Sequence, residues 1–239
     1  PNQKYFKKFT NDFTNINEIK KYWIKAQEEI NLNNNINFLK THHINCKIDD
    51  FDFTNKSNTL ATIYIVRDPR SLVNSISNHY DLSIIESKEF LLTSRTLGSN
   101  KNSNTLKDGH VVTLLGNWAE HYRFWKHNNE NYLIIKYENL LNNIENELEK
   151  IISFLKKFIN FEVNDNKLNN IIKTTNFEYL KRGEQIGLFN ENAYTKNTKK
   201  KINFFHQGPR NDWKSNLNIK IIDEINLKLR NEMIELGYL

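Results

Sequence analysis

Cysteine is nearly absent: Cys46 is alone in 239 residues. An intramolecular disulfide is therefore excluded, as is a cysteine-rich metal cage. Such usage is compatible with a reducing compartment. Glycine and proline are also scarce, at seven and three. That scarcity argues against turn-rich sandwiches, collagen-like repeats and long flexible linkers. No apolar run reaches about 18 residues, so no segment reads as a membrane-spanning helix. The chain opens on Pro1-Asn2-Gln3 without a methionine, and no signal peptide is recognisable. No internal repeat and no composition shift marks a domain boundary.

What is present is bulk. Fifteen Phe, ten Tyr and four Trp supply enough apolar surface for a real core. The length suits one large α/β domain better than two small ones. A formal net charge of +6 favours an anionic partner. Nucleic acid, an acidic membrane and a nucleotide all qualify, and composition does not choose among them.

Periodicity gives an alternating order of elements. Residues 15–31 place Ile16, Ile19, Tyr22, Trp23, Ala26 and Ile30 at helical spacing. Ile36 to Thr41 is a short extended candidate, and Thr59 to Val66 a β-branched, buried strand. That strand stops at Arg67-Asp68-Pro69-Arg70-Ser71, where Asp68 can cap a helix and Pro69 fits its first position. Leu72, Val73, Ile76 and Tyr80 share the face of the helix that follows.

A polar stretch, Ser99 to Lys107, precedes a helical stripe of Leu114, Leu115, Trp118, Tyr122 and Trp125, read as core. A second strand is expected at Asn131 to Tyr137, then helices at Ile144 to Phe158, Asn164 to Thr174 and Ile219 to Leu236. Lys181 to Lys201 reads as a polar segment, and its Lys199-Lys200-Lys201 as solvated loop. Strands alternating with helices predict an α/β fold, a central parallel sheet flanked by helices.

Three short stretches carry chemistry. In Val66-Arg67-Asp68-Pro69-Arg70-Ser71-Leu72-Val73-Asn74-Ser75, a helix N-terminus meets an arginine on the turn and a serine two turns on. Such a turn can grip an anion from several sides. Phe38-Leu39-Lys40-Thr41-His42-His43 delivers a cation and a base together, and histidine suits the base role because it titrates near neutrality. The adjacent histidines make a poor metal pair, since neighbours on a strand point to opposite faces. In Phe204-Phe205-His206-Gln207-Gly208-Pro209-Arg210-Asn211-Asp212-Trp213-Lys214, glycine permits close backbone approach and Trp213 can anchor the loop. Each stretch alone also fits a plain structural role: a capped helix, a solvated strand end, an ordinary turn.

Together, from about residue 36 to about residue 225, they resemble the cytosolic-type sulfotransferase family, which uses 3′-phosphoadenosine 5′-phosphosulfate (PAPS) as donor. The family's Lys-Thr-His matches Lys40-Thr41-His42, and its arginine with a serine eight positions on matches Arg67 and Ser75. Its Tyr-Glu-Asp/Asn-Leu matches Tyr137-Glu138-Asn139-Leu140. Thr175-Asn176-Phe177 is similar to its Thr-Ser-Phe, and His206-Gln207-Gly208 with Asn211-Asp212-Trp213-Lys214 to its Arg-Lys-Gly loop.

The resemblance implies a sulfotransferase of the P-loop-NTPase-like fold, residues 1–239 forming a single domain. It implies transfer of a sulfuryl group from PAPS to a hydroxyl or amine, with a small molecule or glycan as acceptor. His42 would act as base and Lys40 would stabilise charge at the sulfuryl group. Arg67 and Ser75 would bind the 3′-phosphate, Tyr137 and Thr175 the adenosine end, and His206, Gln207 and Gly208 would close over the 3′-phosphate. No metal is implied. Lys214, Asn218-Ile219 and Asp223 faintly resemble the family's dimer motif, which leaves a homodimer open. A cytoplasmic location is implied as well.

Two departures stand out. His206-Gln207 replace two cations, with Arg210 or Lys199 to Lys201 as candidate substitutes. The first glycine is Gly98, and no Gly-rich loop followed by lysine occurs anywhere. The expectation is that the first strand and its 5′-phosphosulfate loop precede Pro1, and that residues 1–239 alone are inactive. Two other classes remain. A P-loop kinase-like phosphotransferase needs the absent Gly-x-x-x-x-Gly-Lys-Ser/Thr loop. A nucleic-acid-binding module fits poorly with Lys and Arg so well mixed with acids, so no nucleic-acid partner is expected.

Overall fold

The computed structural model describes residues 2–30, 35–98, 109–189, 193–195 and 198–239. Helices α1 (Ile16–Ile19) and α2 (Trp23–Ile30) come first, joined by a single 3-10 turn over Lys20–Tyr22. Strands β1 (Lys47–Ile48) and β2 (Phe51–Asp52) precede β3 (Thr62–Val66), α3 (Pro69–Tyr80) and α4 (Ile84–Leu92). Next come β4 (Thr96–Leu97), β5 (Thr113–Leu114), α5 (Trp118–His127), β6 (Tyr132–Lys136), α6 (Tyr137–Asn142) and α7 (Ile144–Leu155). The rest is α8 (Asp165–Thr175), α9 (Phe177–Gln185), β7 (Ala193–Tyr194), β8 (Lys201–Ile202), α10 (Trp213–Asn216), α11 (Ile219–Lys228) and α12 (Arg230–Glu235).

The chain forms two compact units, each drawn from two stretches: Pro1–Thr62 with Thr93–Tyr132, and Ile63–Leu92 with Leu133–Leu239. The first unit packs α1, α2 and α5 around buried Ile19, Trp23, Phe53, Tyr122 and Trp125. Its strands are antiparallel pairs, β1 with β2 and β4 with β5. Cys46 is buried there, and burial pushes its thiol up to about 11.

The second unit carries the parallel sheet, β3 against β6, with helices around it. This is the α/β architecture expected from the alternation of elements. Val66 and Ile135, one from each strand, are buried, as are Val73 of α3 and Ile225 of α11. β3, turn and α3 follow the sequence reading closely. Asp68 is the N-cap, its Oδ1 accepts the Arg70 N–H at 2.9 Å, and Pro69 takes the first helical position.

Elsewhere the boundaries move, for local reasons. Ile36 to Thr41 is irregular rather than extended in a sheet, with Phe38 70% and Leu39 63% exposed. A strand exists only where a partner takes its backbone groups, and among the described residues no strand pairs with this stretch. The aromatic helix begins at Trp118, not Leu114, because Asn117 and Glu120 close a capping box while Leu114 enters β5. Tyr122 and Trp125 are buried, as core residues should be. The last helix is two, broken at Leu229. The polar segment from Lys181 opens inside α9, capped by Asn176, and Lys201 enters β8. Ser99 to Lys107 lies outside the described residues.

Candidate functional site

Lys40 and His42 belong to the first unit; Arg67, Ser75, Tyr137, Thr175, His206, Gln207 and Gly208 belong to the second. In the second unit the helix after β3 sets the geometry. Positions 67 and 75 are separated by two turns of chain, and the Arg67 Nη1 donates to Ser75 Oγ at 3.1 Å. The Arg67 guanidinium lies 4.5 Å over the Tyr137 ring, delivered by the start of α6 directly after β6. Three residues chosen from sequence thus meet at the carboxyl ends of the two paired strands.

Arg67 is left with binding capacity. Its Nε is buried without a partner, and among the described residues no carboxylate pairs with it. Burial lowers its pKa, an effect opposed by Tyr137, Glu138, Asp68 and Tyr238. Arginine still stays protonated there. A half-buried cation with an open donor is costly unless an anion meets it.

Arg70, three residues on, has the opposite fate. Its Nε and Nη2 hold both Asp68 oxygens, Nη2 also donates to the Tyr238 carbonyl at 2.8 Å, and the guanidinium lies 3.9 Å over Trp213. Asp68 therefore both caps α3 and neutralises Arg70. At the helix end the Arg70 N–H is taken by Asp68 and Pro69 has none to offer.

Glu138 completes this scaffold, which sequence reasoning did not assign. Its Oε1 accepts the Asp68 N–H and its Oε2 accepts the Tyr238 hydroxyl, each at 3.0 Å. Burial, with the Glu138 charge behind it, drives the Tyr238 hydroxyl far above the usual phenol range. Glu138 sits inside a quoted motif, yet its partners are 70 and 100 positions away. No local signal announces them.

The loop of residues 203–211 is tied to the same helix as Ser75. Asn211 accepts from Asn74 Nδ2 at 2.9 Å and donates to the Ser71 carbonyl at 2.8 Å, while Asn78 donates to the Asn203 carbonyl at 2.9 Å. The Glu184 carboxylate takes the Phe204 and Phe205 N–H groups at 2.6 and 3.0 Å. Gly208 has φ +53°, and a Cβ there would collide with the Phe177 ring. Its glycine is thus explained by packing against α9. Gln207 keeps a buried, unpartnered Oε1, whereas His206 is exposed. Thr175 is exposed just before α9, its hydroxyl donating to the Ile171 carbonyl at 2.7 Å. Among these loop residues and Thr175, none bonds to Arg67.

In the first unit, Lys40 and His42 are exposed and His43 is buried. The two histidines do face opposite ways, although the backbone there is not a strand. The His42 carbonyl lies 3.3 Å from His121 Nε2 on α5. Burial depresses both His43, to about 3, and His121, to about 4. Sequence reading passed over His121; its place three residues after the Trp118 helix start was the available signal. Among the described residues no cluster suited to a metal ion occurs.

Comparison with known proteins sets this geometry in context. A 3-beta-hydroxysteroid sulfotransferase of Cavia porcellus is 26% identical over 175 residues, 70% of this chain and 54% of its own length. An amine sulfotransferase of Oryctolagus cuniculus is 25% identical, covering 74% of this chain and 56% of its own. The chain thus spans about half the length of the curated relatives it matches. Among solved structures, a mouse sulfotransferase complexed with PAP covers 72% of this chain and 58% of its own at 22% identity, with a TM-score of 0.47. The sulfotransferase domain model matches residues 3–237, nearly end to end, and by that match the chain belongs to the sulfotransferase family.

Proposed function

We propose that this chain serves sulfuryl transfer from PAPS to a hydroxyl or amine, and that its second unit holds the 3′-phosphoadenosine part of the donor. One observation carries the reading. Arg67 is a half-buried guanidinium bonded to Ser75, stacked on Tyr137, and left with a buried Nε that no group among the described residues pairs. PAPS, when bound, supplies the sulfuryl group and leaves as 3′-phosphoadenosine 5′-phosphate (PAP). Arg67 and Ser75 would hold the 3′-phosphate, Tyr137 and Thr175 the adenosine end, and Gly208 with its neighbours the outer side of that phosphate.

His206 and Gln207 stand where the family has two cations, so Arg67 bears more of the charge recognition here. For Lys40 and His42 the support is the motif Lys40-Thr41-His42: the lysine would stabilise charge at the reacting group, and the imidazole would take the acceptor proton. One family model running through both units supports reading residues 1–239 as one domain. Relatives named for steroid hydroxyls and for amines support a small-molecule acceptor.

The test is calorimetric titration of the chain with PAP. Arg67→Ala should weaken binding about 10- to 100-fold, the worth of a charge-assisted hydrogen bond, and Ser75→Ala about fivefold. Equal affinities in parent and variants would reject the site.

A further inference from the structure

His42 is exposed, yet the peptide groups around it are held from several sides. The His43 N–H donates to Thr41 Oγ1 at 3.0 Å, and the His43 carbonyl accepts the Trp125 indole N–H at 2.9 Å. The His42 carbonyl lies 3.3 Å from His121 Nε2, from the same helix α5 that carries Trp125. The His43 side chain is fully buried. It stacks on Phe53 with centroids 4.2 Å apart and planes at 1°, and meets Trp23 edge-on at 4.8 Å. Its Nδ1 pairs with the Ile44 carbonyl at 2.7 Å, which makes the nitrogen the donor in a neutral ring.

This arrangement is poor as simple core. The His43 Nε2 and the Trp23 Nε1 are both buried without partners. A leucine or phenylalanine would fill the space without burying an unsatisfied nitrogen. What histidine adds is the Nδ1–H bond, which fixes the ring to its own backbone and so fixes the backbone leading out to residue 42.

We propose that His43 is a positioning residue for His42: its ring, clamped between Phe53 and Trp23, and its carbonyl, held by the Trp125 indole, together fix the direction in which the exposed imidazole projects. This rests on the reading of His42 as the base and deepens it. Two changes probe the clamp. Trp125→Phe keeps the aromatic body and removes the N–H that holds the His43 carbonyl. His43→Phe keeps the stacking and removes the Nδ1–H bond.

The readout is ¹⁵N relaxation at the His42 amide, together with the His42 imidazole Cε1–H resonance assigned through His42→Gln. In the parent the order parameter at His42 should be about 0.85, the value of rigid backbone, and either variant should lower it below about 0.6. The imidazole resonance should shift, while PAP affinity stays within about twofold. An order parameter already below about 0.6 in the parent, or one unmoved in either folded variant, overturns the proposal. The base role is read separately: where the parent transfers sulfuryl, a rate unaffected by His42→Gln rejects that role and leaves the clamp measurement standing.

Discussion

At the scale of single residues, two histidines of the first unit make the protein sensitive to acid. Burial holds His43 near 3 and His121 near 4, against about 6.5 for an unfolded histidine. The native state therefore stays neutral where the unfolded chain takes up protons. The stability these groups contribute is complete above about pH 6.5 and is lost as pH falls toward their folded values. Each histidine should cost about 1.4 kcal/mol per pH unit over that window. Urea unfolding at pH 7 and pH 5 measures the loss, and His43→Phe should flatten the slope. A slope identical in parent and variant would mean that His43 is not held neutral. Arg67 and Arg70 show the same logic for cations: nearly identical in sequence context, one is neutralised by Asp68 and the other keeps an open donor.

At the scale of elements, caps decide more than hydrophobic stripes. The stripe of Leu114, Leu115, Trp118, Tyr122 and Trp125 points to a helix from its first member, but Asn117 and Glu120 start it at Trp118. Asn117→Ala should cost about 1 kcal/mol, read as a lower thermal midpoint, while Asn117→Gly should cost only a few tenths. An equal loss from both would show that the cap bond is not what starts α5. The β3–turn–α3 unit was legible in the sequence because its signals are local: β-branched run, capping aspartate, proline at the first position. The two-residue strands of the hairpins and the helix α9 were not. Two-residue strands carry too little pattern to register, Leu114 of β5 reads as part of the helical stripe, and α9 is announced only by Asn176 and the spacing after it.

At the scale of the whole chain, the same distinction separates what the sequence revealed of the site from what it hid. Arg67 and Ser75 sit eight positions apart on one turn and helix, so their meeting follows from helical geometry. Tyr137 joins them because parallel pairing of β3 and β6 brings the two strand ends side by side. The Glu138, Tyr238 and Arg70 network that holds the turn rigid depends on contacts from residues 138, 226 and 238, which only the folded chain brings together. The family match over residues 3–237 places the chain among the sulfotransferases, and the unpartnered Arg67 Nε is what supports the proposed 3′-phosphate site. A double-mutant cycle tests that place most directly: parent and Arg67→Ala, each titrated with PAP and with adenosine 5′-phosphate, which lacks the 3′-phosphate. Deleting the arginine or the phosphate should each weaken binding at least tenfold, and deleting both should weaken it little further. Two full, additive losses would show that Arg67 and the 3′-phosphate do not touch.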